Sequence, residues 1–531
     1  MGRCFLAALL CLLVSVPGAG KVPSWFGRAV IYEVYPSAFA DHDGDGMGDI
    51  NGITDRLDYI RDLGCNTIWI NACFCSEFRD GGYDVTDYYH IAPRYGSNDD
   101  MRRLIAGAHR RGMRVLLDLV AGHTSLGHPW FRKSMLRDSN EYTDRYIWTR
   151  DTLECPPKFC RLPPADSIRN GCYLKNYFPF QPALNYGYGH PDPARPWEKP
   201  VTAAGPTATR QELVRVMNYW MDMGCDGFRV DMAGSLVKND PGLSATAFLW
   251  HEVRRQVFSR HPDGVLLAEW GHPERARRIG FTADFLFQFG LDGWRDLFCQ
   301  ETGVYRRDTC FFDARGVGSP RRFIRSLYAC LDSLDGQGYV CLPTGNHDVQ
   351  RLNCGRRSAP GELKTALAFI LTMPCVPCIY YGDEVGMRYR EGLPDIEGSL
   401  IRAGNRAGSR TPMEWDRVRV QRADSRSVWQ FVRQLLRLRS RHPALGTDSE
   451  VRFLKSDSCD YPLTYIRQSG GERLLLSVNP SARKMHAVYH TRPGYSARVL
   501  LKSGQGGTVV MGRETTEVTV SPFSFILCKI K

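Results

Sequence analysis

At 531 residues the chain is too long for one small core, so two or three domains are expected. Hydrophobic content of 43% and charged content of 24% are ordinary for a soluble globular protein. The net charge of +12 comes from arginine spread over the whole length rather than gathered on one helix or tail, so no nucleic-acid partner is expected.

Residues 1–20 carry a basic start, an apolar run over 5–16 and the small residues Pro17-Gly-Ala-Gly20. That is a cleavable signal peptide pattern, and the run is too short to span a membrane. An exported chain, secreted or periplasmic and without membrane insertion, is the expectation. Strand-like runs follow at 31–39, 67–71, 114–120, 227–232, 265–270, 283–289, 339–344 and 377–381. Helical patterns lie between them at 99–111, 211–223, 245–260 and 320–335. Eight short apolar strands separated by helices predict a parallel (β/α)8 TIM barrel over 21–445. A doubly wound α/β fold is the rival, but no Gly-rich dinucleotide loop opens the first helix.

Between the third strand and residue 211 lie roughly ninety residues rich in Pro, Tyr and Asn, too long for a plain loop. We read 124–209 as an inserted subdomain over the barrel mouth, and the irregular stretch 382–424 as a second approach to the cleft. After a helix at 428–441 the pattern changes to short β-rich runs at 463–467, 473–478, 497–501, 508–511 and 523–530. These predict a C-terminal all-β sandwich domain over 446–531. Export permits disulfides, with Cys155, Cys160 and Cys172 the closest cluster, whereas Cys65, Cys225, Cys375 and Cys378 read as buried thiols in strand approaches.

Three carboxylates carry the chemistry: Asp231 in Gly227-Phe-Arg-Val-Asp231, Glu269 in Leu266-Leu-Ala-Glu269, and Asp348 in Asn346-His-Asp348. Each closes an apolar β-rich run, where a parallel barrel delivers residues to its catalytic face. Two carboxyl groups facing across a sugar are what glycoside hydrolysis requires. Arg229 precedes Asp231 by two residues, so both point to the same side of a strand and the guanidinium favours an ionised Asp231. Glu269 follows an apolar strand and precedes Trp270, and partial burial there favours a held proton. Asp118 reads as a framework hydrogen-bonder. In Asp41-His-Asp43-Gly-Asp45-Gly-Met47-Gly-Asp49, carboxylates at alternate positions suit a tight loop around a hard cation. The side chains of Asp41, Asp43, Asp45 and Asp49 with the Met47 carbonyl supply the oxygens.

Six motifs in order, namely Gly81-Gly-Tyr-Asp-Val-Thr-Asp-Tyr, Asp118-Leu-Val-Ala-Gly-His123, the three above and Tyr380-Tyr-Gly-Asp-Glu, make the chain resemble the α-amylase family of glycoside hydrolases. The resemblance covers nearly everything after residue 20. It implies Asp231 as nucleophile, Glu269 as general acid/base and Asp348 as the carboxylate that binds and distorts the sugar. It implies further that His123, Arg229 and His347 line the subsite at the scissile bond, that Tyr83 stacks on the glucose ring and that Asp84 contacts its hydroxyls. The Asp41–Asp49 loop is similar to the calcium loop of oligosaccharide-cleaving members, so one Ca²⁺ and no organic cofactor are expected. Two positions depart from the pattern: Gly122 stands where the family carries Asn, and Ala183 where it carries Asp. The expected activity is retaining hydrolysis of α-1,4 bonds, with α-1,6 as a variant, in starch-like polysaccharides or maltooligosaccharides by a monomer. A transglycosidase or trehalose-forming enzyme is the alternative, and a non-catalytic binding barrel the remote one.

Overall fold

The computed structural model describes residues 22–155, 158–285, 293–298, 309–398, 400–401, 404–456, 460–491 and 496–531. Eight parallel strands close a barrel: β1 (Ile31–Val34), β2 (Thr67–Ile70), β3 (Arg114–Leu119), β4 (Gly227–Val230), β5 (Val265–Ala268), β6 (Ala283–Phe285), β7 (Tyr339–Pro343) and β8 (Val376–Tyr380). Each pairs with its sequence neighbour, and β1 closes onto β8 with Ile31 opposite Cys378. The predicted sixth strand beyond residue 285 lies outside the described residues, as do residues 1–20 with the leader. No described helix is long and apolar enough to cross a membrane.

The strands are short because turn chemistry stops them. β1 ends before Pro36, which starts a helical turn over Pro36–Phe39 where a continued strand was expected; proline has no N–H for the ladder. β4 stops at Val230, and Met232 then turns left-handed at φ 45°. The helix after β2 (Asn98–Arg110) starts on a capping box in which Ser97 and Asp100 satisfy each other's backbone N–H. The helix before β4 begins at Ala204, inside the stretch read as the insertion, with Pro206 in its first turn, and ends on left-handed Gly224.

The C-terminal region holds a five-stranded and a three-stranded antiparallel sheet. Side chains from both, among them Leu475, Tyr489, Val518 and Ile526, form one apolar layer between them. Strands Glu450–Phe453, Met485–His490 and Thr515–Val520 belong to these sheets although the sequence pattern did not reveal them. Two buried arginines tie this domain to the barrel: Arg467 donates to the Thr372 carbonyl at the end of one barrel helix, and Arg439, on the helix Val428–Arg441, donates to the Thr447 hydroxyl as well as to the Leu371 and Met373 carbonyls. The described cysteines are free thiols, and Cys65, Cys225, Cys375 and Cys378 are buried.

Candidate active site

Barrel register builds the centre of the site. Asp118 on β3 lies opposite Arg229 on β4. Arg229 Nη1 donates to Asp118 Oδ1 at 2.7 Å and to Asp231 Oδ1 at 3.2 Å, while Nη2 pairs with Glu269 Oε1 at 2.8 Å. One fully buried planar fork therefore holds three carboxyl groups at fixed angles, which a lysine cannot do. The second Glu269 oxygen accepts the Met232 N–H at 2.9 Å. The left-handed backbone at Met232, a conformation that costs a bulky residue about 1–3 kcal/mol, turns that N–H toward Glu269.

Burial pushes the Asp231 carboxyl well up, and the nearby Glu269 charge adds to this against the pull of Arg229. Glu269 is also raised by burial, opposed by Arg229 and the Met232 N–H. The two therefore favour sharing one proton over both being ionised. Asp348, after β7, behaves differently. Its backbone N–H is fixed by Asn346 Oδ1 at 2.8 Å. Its Oδ1 accepts Arg406 Nη1 at 2.7 Å and Arg410 Nη2 at 3.1 Å. Burial would raise this acid, but His347, Arg406 and Arg410 together hold it well below the usual carboxylate range.

The remaining expected residues are distributed as follows. His347 stacks on Tyr83 with centroids 5.3 Å apart and planes within 6°. Tyr83 is buried, and its hydroxyl donates to Asp118 Oδ2 at 2.8 Å. His123 lies between the Tyr83 carbonyl, 3.0 Å from Nε2, and Asn176, whose amide is 2.9 Å from Nδ1; burial lowers it to about 3. Asp84 is turned away from this group. It is fully buried and accepts from the backbone N–H of Arg79 and Asp80 and from the Ser76 hydroxyl, which makes it the organiser of its own loop.

Asp80, Arg406, Arg410 and Gln181 also belong to the site, and sequence reasoning missed them. Arg406 bridges Asp348 to Asp80 at 2.6 Å, and Gln181 of the inserted segment donates to Asp80 at 2.7 Å. Asp80 stands one residue before the quoted Gly81-Gly-Tyr motif, and Arg410 opens a conspicuous Arg-Thr-Pro run in the irregular stretch after β8. Those positions were the available signals.

In the first loop, oxygens of Asp41, Asp43 and Asp49 lie within 4.8 Å of one another, a donor set that fits a hard cation. Asp45 is outside that set and accepts the Met47 N–H at 2.7 Å. Between barrel and insertion the departures from the family pattern are filled differently. A Cβ on Gly122 would meet Asn176 Nδ2 at 2.9 Å, so the missing side chain makes room for the amide that reaches His123. Ala183 packs with Ile147 and Tyr188.

A (β/α)8 barrel with paired carboxyls on one arginine fork at its C-terminal face defines a glycoside-active protein. The alpha amylase catalytic-domain family matches residues 33–448, and the chain belongs to that family. It is 29% identical to the trehalose synthase/amylase TreS of Mycobacterium tuberculosis, covering 87% of this chain and 82% of that one. It is 26% identical to the oligo-1,6-glucosidase of Parageobacillus thermoglucosidasius, over 88% of this chain and 93% of that one. Isomaltulose synthase (PalI) from Klebsiella sp. LX3 superposes with a TM-score of 0.77 at 25% identity, covering 96% of this chain and 100% of that one.

Proposed function

We propose that the protein is an exported, retaining α-glucosidase that removes glucose from short α-1,4- or α-1,6-linked glucosides. The observation that carries this reading is the Arg229 fork joining Asp231 to Glu269, with Asp348 ionised beside them. Asp231 attacks the anomeric carbon as the bond to the leaving oxygen breaks, and a glycosyl ester forms. Glu269 gives its proton to that oxygen and then takes one from the water that opens the ester. In the free site the Arg229 contact is shorter to Glu269 than to Asp231. A sugar entering between them must turn Glu269 off the fork, leaving the guanidinium to Asp231 and the shared proton to Glu269. Asp348 and His347 hold hydroxyls of the bound ring.

Preference for short substrates rests on the chain Asp80–Arg406–Asp348, braced by Gln181. Three loops meet there in buried ion pairs, so a polymer running through that end would have to break charge-assisted bonds. A bound Ca²⁺ in the first loop would be held by Asp41, Asp43 and Asp49, with Asp45 and the Met47 carbonyl drawn in, and would brace that loop. A second reading replaces water by a sugar hydroxyl in the last step. The trehalose-forming and isomaltulose-forming relatives favour it. A timed product profile on maltose, isomaltose, trehalose, maltotriose and starch tests both. Glucose released from the short substrates much faster than from starch supports the main reading. Isomeric disaccharides without net gain of glucose support the second, and internal cleavage of starch refutes the preference for short chains.

A further inference from the structure

Hydrogen-bond polarity around His347 gives a task to a buried carboxyl that the glycosidic steps leave unused. Glu33, on β1, is fully buried and its oxygen Oε1 lies 2.8 Å from His347 Nδ1. Oε1 also accepts the Asn71 amide at 3.2 Å, while Oε2 has no partner within bonding distance. Among the described residues, His347 is its one ion-pair partner.

The other ring nitrogen, Nε2, lies 2.8 Å from the Tyr83 hydroxyl and 3.6 Å from Asp348 Oδ2. Asp118 decides the direction of the first contact. It receives Arg229 at 2.7 Å, the Trp69 indole at 3.2 Å and Tyr83 at 2.8 Å, three donors on one carboxylate. A phenol has a single proton. With that proton on Asp118, the Tyr83 oxygen accepts, and His347 must be the donor at Nε2. Nδ1 then faces Glu33 across a contact that needs one further proton.

We propose that Glu33 is a positioning residue that holds the second proton of the Glu33–His347 pair, so that His347 always presents an N–H at Nε2 beside the acceptor Asp348. This rests on the functional reading above, and gives that reading a donor–acceptor pair matched to neighbouring hydroxyls of one sugar ring. Burial drives the Glu33 acid well up and the His347 imidazole well down, which leaves the shared proton on Glu33 in the resting site. Other groups face the ring from each side. Asn71, just after β2, brings its amide to 3.2 Å from Nδ1 as a second donor, Trp69 is on β2, Tyr35 stacks at 6.3 Å, Arg229 is on β4, and Arg410 Nε donates to the His347 carbonyl at 2.9 Å. None of them is a base that can replace Glu33 at Nδ1.

Neutron diffraction on the perdeuterated enzyme is the direct test. Deuterium on His347 Nε2, a second deuterium between Nδ1 and Glu33, and the Tyr83 deuteroxyl aimed at Asp118 are expected. A bare Nε2 with the Tyr83 deuteron pointing to it overturns the proposal. The kinetic arm is Glu33→Met, which keeps the bulk but has no proton to give Nδ1, with Glu33→Gln, whose amide N–H can still donate to Nδ1, as the conservative rescue. With melting temperature unchanged, kcat of Glu33→Met on an aryl α-glucoside should fall about 10- to 100-fold with KM changed less than about threefold, as for loss of a hydrogen bond made in the transition state, while Glu33→Gln should stay near the parental kcat. A folded Glu33→Met variant with parental kcat, or a Glu33→Gln variant as impaired as Glu33→Met, also overturns it. If the parent turns over no α-glucoside, the functional reading fails, whereas the neutron map still decides the proton arrangement.

Discussion

Arg406→Ala probes the part of the site that depends most on tertiary structure. The guanidinium joins Asp348 to Asp80, and the three side chains expose only 8%, 18% and 6% of their surface. Truncating one member of such a buried charge pair costs about 2–5 kcal/mol, much of it from the carboxylate left alone. Taking about 3 kcal/mol, kcat/KM should fall on the order of a hundredfold. The pH dependence gives the sharper check. Asp348 is held low by His347, Arg406 and Arg410 against burial. Losing one guanidinium raises it, so the acid limb of the kcat/KM profile moves to higher pH. The sign for stability follows: a depressed carboxyl contributes above its unfolded pKa and is lost as pH falls, so the parent should lose more stability than the variant as pH drops below about 5. Adding Asp80→Asn removes the second orphaned carboxylate and should recover stability without recovering activity. Stopped assays on 4-nitrophenyl α-glucoside from pH 3 to 9, paired with thermal melts, measure all of this. An unchanged acid limb, or full activity in the double variant, would refute the reasoning.

Asp231→Asn should lower kcat by roughly four orders of magnitude or more while the melting temperature stays near that of the parent, measured by active-site titration and calorimetry. Chelator, or Asp41→Ala, should lower the melting temperature with added Ca²⁺ restoring only the parent; chelator-insensitive melting would remove calcium from the first loop. Glu384 is buried with two tyrosine hydroxyls and, among the described residues, no ion-pair partner, and burial raises it to about 7. A raised acid contributes its stability below the unfolded pKa and loses it as pH rises toward 7. Glu384→Gln should therefore gain up to about 3 kcal/mol on the parent between pH 4.5 and 8 in urea titrations.

The barrel and its carboxyls were legible because the signals are local. Asp231, Glu269 and Asp348 each end an apolar run, and Arg229 reaches Asp231 through strand alternation alone. Asp84 was singled out by the same kind of local signal. It adjoins the quoted tyrosine, but three loop donors within eight residues consume its oxygens. Arg406 and Asp80 are 326 residues apart, and Glu33 and His347 are 314 apart. Neither pair has a periodicity to betray it, since barrel closure makes the contact. The turn at Pro36–Phe39 was hidden inside an apolar run that strand and helix share.

The distribution of arginine explains which carboxyls act as acids and which as bases. Asp348 has two arginines of its own and is held low, whereas Asp118, raised by burial, accepts the Trp69 indole and the Tyr83 hydroxyl beside Arg229. Asp231 and Glu269 must share one fork with Asp118, so their combined charge exceeds what Arg229 can balance in a buried site. Among the described residues Glu33 has no guanidinium within ion-pair distance and feels Arg229 only from farther off. A sugar is neutral and brings no counter-charge, so the excess has to be met by protons. Those protons settle where guanidinium charge falls short of carboxylate charge, on Glu33 and on the Asp231–Glu269 pair that shares Arg229 with Asp118. Asp348 remains the base-like anchor because two arginines from the loop after β8 reach it. In this site the placement of Arg229, Arg406 and Arg410 assigns the proton that glycoside cleavage needs.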